Sequence, residues 1–136
     1  MGSLMNIAIK AANLHYEKHY EEAIKLLDRY FKSVTDREDL AQFHIGYAIN
    51  YEKLKEIEKC NYHCEEAIKL YHDGIYAYER LIKNYVKAKD WENALRICDI
   101  VLKRKDVFKH RITWEAISSY ALKRKEFILK IKKIDQ

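Results

Sequence analysis

Proline is absent from this chain of 136 residues, and glycine occurs only three times. Because these two residues interrupt helices and build tight turns, a chain with so few of them favours long helices. Apolar residues make up 49% and charged residues 35% of the chain, which is enough to bury a core. The sequence therefore predicts an all-α protein. It argues against sandwiches, barrels and Rossmann folds, which need many turn residues or glycine-rich loops.

The cysteine count and the absence of a recognisable secretory signal indicate the compartment. Three cysteines, an odd number, do not suggest a disulfide framework, so we expect a reducing, cytoplasmic environment. No run of 18 apolar residues is present, so no transmembrane helix is expected. The opening Met1-Gly2-Ser3 is typical of an expression remnant. We therefore interpret residues 1–4 as that remnant and residues 5–136 as a single domain.

Positive charge is concentrated near the C-terminus. The net charge is +5, but residues 103–136 carry 11 basic and 4 acidic side chains, whereas the preceding residues carry 15 and 17. The basic clusters there suggest phosphate contacts, yet no nucleic-acid recognition motif accompanies them. Cations near a helix C-terminus also complement the helix dipole. Neither nucleic acid nor a membrane is the expected partner.

A helical repeat is visible in the spacing of apolar and small residues. Three segments, beginning at His19, Glu56 and Asp90, carry such residues at spacings of three, four and three, which places them on one helix face. The segments are offset by 37 and then 34 residues, and each follows another helical run. The equivalent positions are Tyr20, Ile57 and Trp91, then Ala23, Cys60 and Ala94, then Leu27, Cys64 and Cys98, then Tyr30, Ala67 and Val101. This pattern predicts an α-hairpin solenoid.

Seven helices follow from the repeat and from local signals. They are expected at about residues 5–17, 20–33, 37–53, 56–72, 75–88, 91–104 and 111–134. They form hairpins at about 5–33, 37–72 and 75–104, with a terminal helix at about 111–134. Thr35 and Glu38 have capping-box spacing, Asp90 can cap the sixth helix, and Asp73-Gly74 suits a left-handed helix end.

The repeat resembles the tetratricopeptide repeat (TPR), a 34-residue helical hairpin. In the third hairpin the matching positions are Tyr78, Leu81, Ile82 and Tyr85, then Trp91, Ala94, Cys98 and Val101. The closing proline of that family is absent here. The resemblance covers nearly the whole chain and implies a right-handed solenoid of about three repeats plus a long C-terminal helix. It also implies a non-catalytic adaptor that binds a protein or peptide in its concave groove.

The resemblance places a set of side chains in that groove. The main partner-binding candidates are Tyr16, Ile45, Ile49, Lys53, Tyr76, Arg80, Lys83 and Lys87, with Ala8, Ile9, Ala12, Gln42 and Gly46 beside them. The groove is then apolar at its start and basic toward its end, which suits a partly acidic peptide or helix. Arg80, Lys83 and Lys87 are also consistent with a solvated face, in which Glu79 provides local ion pairs.

Candidate chemistry elsewhere is weak. Cys60, His63 and Cys64 have spacing that suits zinc ligands, but both cysteines occupy internal repeat positions, so burial explains them better. His15 and His19 lack the glutamate of a zincin helix. There is no glycine-rich phosphate loop. We therefore expect no cofactor, no metal and no enzymatic activity.

Two other functions remain open. The terminal helix carries a stripe of apolar residues whose second half we expect to extend beyond the third hairpin, which suggests structural self-association, for example as a homodimer. The stripe comprises Trp114, Ile117, Tyr120, Phe127, Ile128, Ile131 and Ile134. Alternatively, the 37-residue unit is similar to the irregular repeats of bacterial peptide-pheromone sensors, so the chain is also interpretable as a fragment of a larger peptide-sensing regulator.

Overall fold

The computed structural model describes the backbone of residues 2–134 and the side chains of residues 4–133. Within that range every regular element is helical and no strand occurs, so the predicted all-α class is confirmed. The α-helices are α1 (Gly2–Tyr16), α2 (Tyr20–Phe31), α3 (Arg37–Lys53), α4 (Ile57–Lys69), α5 (Ile75–Lys87), α6 (Trp91–Lys103) and α7 (Arg111–Ile134). A short 3-10 turn, Lys105–Val107, precedes α7.

The helix boundaries agree closely with those expected from the repeat. Helices α3 and α7 begin and end as predicted, and the largest differences, at the start of α1 and the end of α4, are three residues. The helix α1 begins at Gly2, inside the segment interpreted as a remnant. Its early start has a physical reason at Leu4, whose side chain packs against the core formed by α1, α2 and α3.

The turns within the three hairpins share one backbone conformation. Lys18, Lys55 and Lys89 have positive φ angles of 67°, 61° and 58° and lie 37 and 34 residues apart, the same offsets as the sequence repeat. After each of these lysines, the N–H of the next residue donates to a carbonyl five positions back, as in a Schellman motif. The three bonds join His19 to Leu14, Glu56 to Tyr51 and Asp90 to Tyr85. The repeat is therefore present in the backbone as well as in the side-chain pattern.

Of the local signals, one prediction is confirmed and two are wrong. Asp90 caps α6 by accepting a hydrogen bond from the backbone N–H of Asn93. The cap of α3 is Asp36 rather than Thr35, because its carboxylate accepts from the N–H of Asp39. Gly74 has extended backbone before α5, and Tyr71 holds the left-handed position after α4.

The chain forms two compact units, Met1–His72 and Asp73–Gln136. In the first unit α1 and α2 pack against each other and against α3, which packs on α4. Its core is apolar and aromatic, and comprises Ile7, Ala11, Ile24, Leu27, Phe43 and Tyr47. Cys60 and Cys64 are fully buried on α4, as the repeat positions predicted.

The second unit contains α5, α6 and α7, with α7 packed on both other helices. Its most buried side chains include Tyr78, Leu81, Ile82, Ile97, Cys98, Val101, Ile117 and Ile128. Arg104 reaches this core from the end of α6 and donates to the hydroxyl of Tyr78. The indole N–H of Trp114 donates to the carbonyl of Val101, which fixes the start of α7 against α6.

The predicted stripe on α7 requires a correction. Its first half packs as expected, since Ile117 is buried and Trp114 is half-buried. In the second half, Ile128 is fully buried within this chain, so it does not extend beyond the third hairpin as an unpartnered residue. Phe127, the neighbouring residue, is 42% exposed because it lies on a different face. The side chain of Ile134 lies outside the described part of the chain.

Among the residues that the structure describes, no helix combines the length and apolar character needed to cross a bilayer.

Candidate functional site

The first unit contains a small cavity between α1 and α3. Its volume is about 150 Å³, and its walls are mainly apolar. The lining residues are Ala8, Ala11, Ala12, Leu27, Gln42, Phe43, Ile45, Gly46, Ile49 and Asn50. Six of these were expected on the groove side from the resemblance, namely Ala8, Ala12, Gln42, Ile45, Gly46 and Ile49. The structure thus brings two of the main candidates, Ile45 and Ile49, to one apolar depression.

Small residues create this depression. Gly46 leaves room where α3 passes Leu27, since a Cβ atom at residue 46 would lie 3.1 Å from Leu27 Cδ1. On α1, the cavity is lined by the small side chains of Ala8, Ala11 and Ala12, which leave space between the two helices. The groove is therefore a consequence of small side chains on two neighbouring helices.

Asn50 gives the cavity one fixed polar group. Its amide Nδ2 donates to the carbonyl of Gly46 at 2.7 Å, one turn earlier on α3. Its Oδ1 lies 3.0 Å from Nδ1 of His15, and because an amide oxygen only accepts, the histidine donates. Asn50 is only 1% exposed, so both contacts are held in place by packing. The His15 ring thus belongs to a structural contact and not to a metal pair with His19.

The rim of the depression on α1 exposes large apolar side chains. Met5, Ile9 and Tyr16 are 68%, 52% and 82% exposed. They share a face with Ala8 and Ala12, because each member of this set lies three or four residues from at least one other member. Lys53 is exposed at the end of α3, and neither it nor Tyr16 lines the cavity.

The basic candidates lie in the second unit, on α5. Lys83 is exposed and pairs with Glu79, with 3.0 Å between Nζ and Oε1, so the local ion pair considered from the sequence is present there. The Lys83 Nζ also lies 6.0 Å from the ring centre of Tyr120 on α7. Lys87 is exposed, whereas Tyr76 and Arg80 are half-buried. That these four residues continue the groove of the first unit stays a prediction.

Three residues of α7 beside α5 were not assigned to a binding surface from the sequence. The guanidinium carbon of Arg124 lies 5.8 Å from the ring centre of Tyr120 and 5.1 Å from that of Phe127. The sequence signal was present, since residues 120, 124 and 127 are four and three apart and include two aromatic rings. From the sequence, Tyr120 and Phe127 belong to the apolar stripe of α7, and that stripe does not include the cation Arg124.

A cluster of histidines and tyrosines joins α3 to α4. His44 and His63 meet through their Nδ1 atoms at 2.9 Å, so one ring donates while the other accepts. Tyr47 stacks on His63 with ring centres 4.5 Å apart, and its hydroxyl donates to Asp28 at 2.7 Å. Burial lowers the pKa of His44. Burial, together with the neighbouring His44, lowers the pKa of His63 to about 4. Both imidazoles are therefore neutral at physiological pH.

The zinc site at Cys60, His63 and Cys64, which the sequence analysis weighed against burial and did not favour, finds no support in the geometry of the described residues. Among the described residues, no group of three or more His, Cys, Asp or Glu side chains is arranged to hold a metal ion. His63 contacts His44 and aromatic rings, while Cys60 and Cys64 are fully buried. Burial also raises the pKa of the Cys98 thiol to about 11, which leaves it protonated and unreactive.

Comparison with known proteins does not assign the chain to a family. No protein-family model, curated protein or solved structure matches it.

Proposed function

We propose that this chain is a non-catalytic, TPR-like module that binds an apolar segment of a partner polypeptide in the α1–α3 groove. The observation that carries the proposal is the combination of a cavity of about 150 Å³ with an exposed apolar rim. Met5, Ile9 and Tyr16 on the rim expose more than half of their surface. A partner helix with apolar residues three and four positions apart would cover such a surface.

The shape of the cavity favours a side chain of a polypeptide over a small cofactor. It accommodates one apolar side chain, whereas ligand sites for drug-sized molecules are usually about 300–1,000 Å³. The inward polar groups of Asn50 are already bonded to His15 and to Gly46. The groove therefore offers apolar contact and shape, which are the means by which helices are recognised in grooves.

A selection experiment tests the proposal. Peptides displayed on phage should be selected by the wild-type protein with a consensus of apolar residues at helical spacing. Ile49→Glu should weaken binding of the selected peptides by about tenfold or more, because it brings a charge into an apolar contact. Ala8→Glu, at an exposed position on the cavity wall, should have the same effect without disturbing the core.

The matched control is Ile112→Glu on α7. Ile112 is 81% exposed and outside the cavity, so the same chemical change there should leave peptide binding unaltered. Circular-dichroism melts of all three variants establish that each is folded. If peptides bind Ala8→Glu and Ile49→Glu as tightly as the wild type, the groove is not the binding site.

A second candidate function, self-association through α7, is favoured by two exposed leucines. Leu122 and Leu129 are each 48% exposed and lie seven residues apart, so they share one face of the helix. Light scattering of the wild type should then give the mass of a dimer, and the double variant Leu122→Glu, Leu129→Glu that of a monomer. A monomeric wild type over the measurable concentration range would contradict this alternative.

A further inference from the structure

The surface between α5 and α7 contains a patch formed by Lys83, Tyr120, Arg124 and Phe127, here called the arginine–aromatic patch. Two cations lie near the Tyr120 ring, with Lys83 Nζ at 6.0 Å and Arg124 Cζ at 5.8 Å from its centre. Phe127 contacts the same guanidinium at 5.1 Å and is 42% exposed. These contacts orient a cation against aromatic rings at the protein surface.

Arg124 has an unsatisfied donor in this patch. Its Nε is buried and, within the described part of the chain, has no hydrogen-bond partner. Buried polar groups are nearly always bonded, so this donor is an exception within the patch. The donors of a guanidinium lie in one plane and match the two oxygens of a carboxylate.

The charges around the patch are predominantly positive. Two acidic side chains near the patch are paired with lysines, Glu79 with Lys83 and Asp99 with Lys125. Arg80 and Lys87 lie on the same helix as Lys83, at spacings of three and four residues. The whole second unit, residues 73–136, carries 16 basic and 9 acidic side chains, whereas residues 1–72 carry 10 and 12. The patch is therefore set in the electropositive part of the chain.

From this geometry we infer that the arginine–aromatic patch binds an acidic segment of a partner polypeptide, with a carboxylate on Arg124 and an adjacent apolar side chain on Phe127. The inference rests on the proposed function only in that the partner is a polypeptide. It assigns a second surface, distinct from the α1–α3 groove, and it adds Arg124 and Phe127 to the residues expected from the sequence. Lys83 contributes a point charge beside the fork of Arg124.

The composition of the patch favours a peptide over single-stranded nucleic acid. Nucleic-acid platforms offer free aromatic faces for base stacking. Here Tyr120 is half-buried and has cations near it on α5 and α7, and Arg124 lies near the Phe127 ring.

Fluorescence anisotropy with a labelled peptide of glutamates around one phenylalanine provides the test, using the full chain. The wild type should bind this peptide, and binding should weaken as sodium chloride is raised. Arg124→Gln should weaken it by about tenfold or more, because charge-assisted hydrogen bonds are lost. Arg124→Lys, which keeps the charge but not the planar fork, should restore only part of the affinity.

The matched controls change charge in the protein and in the probe. Lys133→Gln removes a cation nine residues after Arg124, on the opposite face of α7, and should leave binding unchanged. A peptide with glutamine in place of glutamate should not bind. The inference is overturned if Arg124→Gln binds like the wild type, if the glutamine peptide binds equally well, or if an oligo(dT) strand binds more tightly than the acidic peptide.

The two proposals fail in different ways. If groove-selected peptides bind but the acidic peptide does not, the inference about Arg124 falls and the groove proposal stands. If the acidic peptide binds in an Arg124-dependent manner while Ala8→Glu leaves groove-selected peptides unaffected, the groove proposal falls. The acidic peptide should bind Ala8→Glu as it binds the wild type, since residue 8 belongs to the other unit.

Discussion

Three lysines hold the turns of this protein in a conformation that usually belongs to glycine. Lys18, Lys55 and Lys89 have φ angles of 58° to 67°. A residue with a Cβ atom pays about 1–2 kcal/mol in this region. The sequence placed these turns between the predicted helices but did not reveal their left-handed conformation, because lysine is a good helix former with no preference for that backbone. They are imposed by the packing of the helices on either side.

Replacing such a lysine by glycine should therefore stabilise the protein. For Lys55→Gly we expect a gain of about 0.5–1 kcal/mol, since removing the Cβ strain outweighs the larger chain entropy of glycine in the unfolded state. Urea denaturation measures the change. Lys25→Gly, inside α2, is the matched control and should lose about 1 kcal/mol. A loss of stability in Lys55→Gly would show that the turn is not strained.

The cysteines should be unreactive in the native protein. Cys60, Cys64 and Cys98 are all fully buried, and burial raises the pKa of Cys98 to about 11. A maleimide reagent at neutral pH should add to none of them until the chain is unfolded, when all three should react. Intact-mass spectrometry gives the number of adducts. Rapid stoichiometric labelling of the folded protein would contradict the burial of these thiols.

At the scale of the helix, periodicity predicted each α-helix but not every buried face. In α7 the sequence offered Phe127 and Ile128 as neighbours in one apolar segment, and the packing against α5 and α6 buries the isoleucine. Two adjacent residues point about 100° apart on a helix, so only one of them can face the core. Which of the two residues faces the core depends on contacts with other helices, and the local sequence pattern does not determine those contacts.

Ile128→Ala should consequently destabilise the protein although it lies near the C-terminus. The side chain is fully buried, so we expect a loss of about 2–5 kcal/mol from lost burial and a residual cavity. Leu129→Ala, at a position that is 48% exposed, should lose clearly less. Thermal or urea unfolding compares the two. Equal effects would indicate that this end of α7 does not pack on the second unit.

The α3–α4 hairpin should lose stability in mild acid. The pKa of His63 falls from its ordinary value of 6.5 to about 4 through burial and the neighbouring His44, whose own pKa burial lowers. Between about pH 6.5 and 4, histidines of the unfolded chain therefore bind protons that the same histidines do not bind in the native protein. Stability should be full above pH 6.5 and should decline as the pH falls through this window.

Melting temperatures measured across this pH range test the effect, with His63→Phe as the comparison. The variant should show a shallower decline between pH 6.5 and 4, because the group that titrates is gone. Glu66, whose pKa is lowered mainly by a hydrogen bond from Lys69, stays in both proteins and accounts for part of the remaining loss at lower pH. Parallel declines in the wild type and the variant would contradict the role of His63.

At the scale of the whole molecule, the repeat made most of the architecture predictable. Spacings of three, four and three placed the helices within three residues of their observed bounds and identified Ala23, Cys60 and Ala94 as buried. The resemblance also placed Ile45 and Ile49 on the same surface. Arg124 was missed because its significance depends on an unsatisfied Nε and on contacts to two rings, and both arise only from the folded surface.

The most direct test of the central claim is a methyl NMR titration of the full chain with a groove-selected peptide. The methyl signals of Ile9, Ile45 and Ile49 should shift on addition of the peptide, because these side chains line or border the α1–α3 cavity. The signals of Ile112 and Ile128 in the second unit should stay in place. Shifts confined to Ile112 and Ile128, with Ile45 and Ile49 unchanged at saturation, would contradict the assignment of the groove as the binding site.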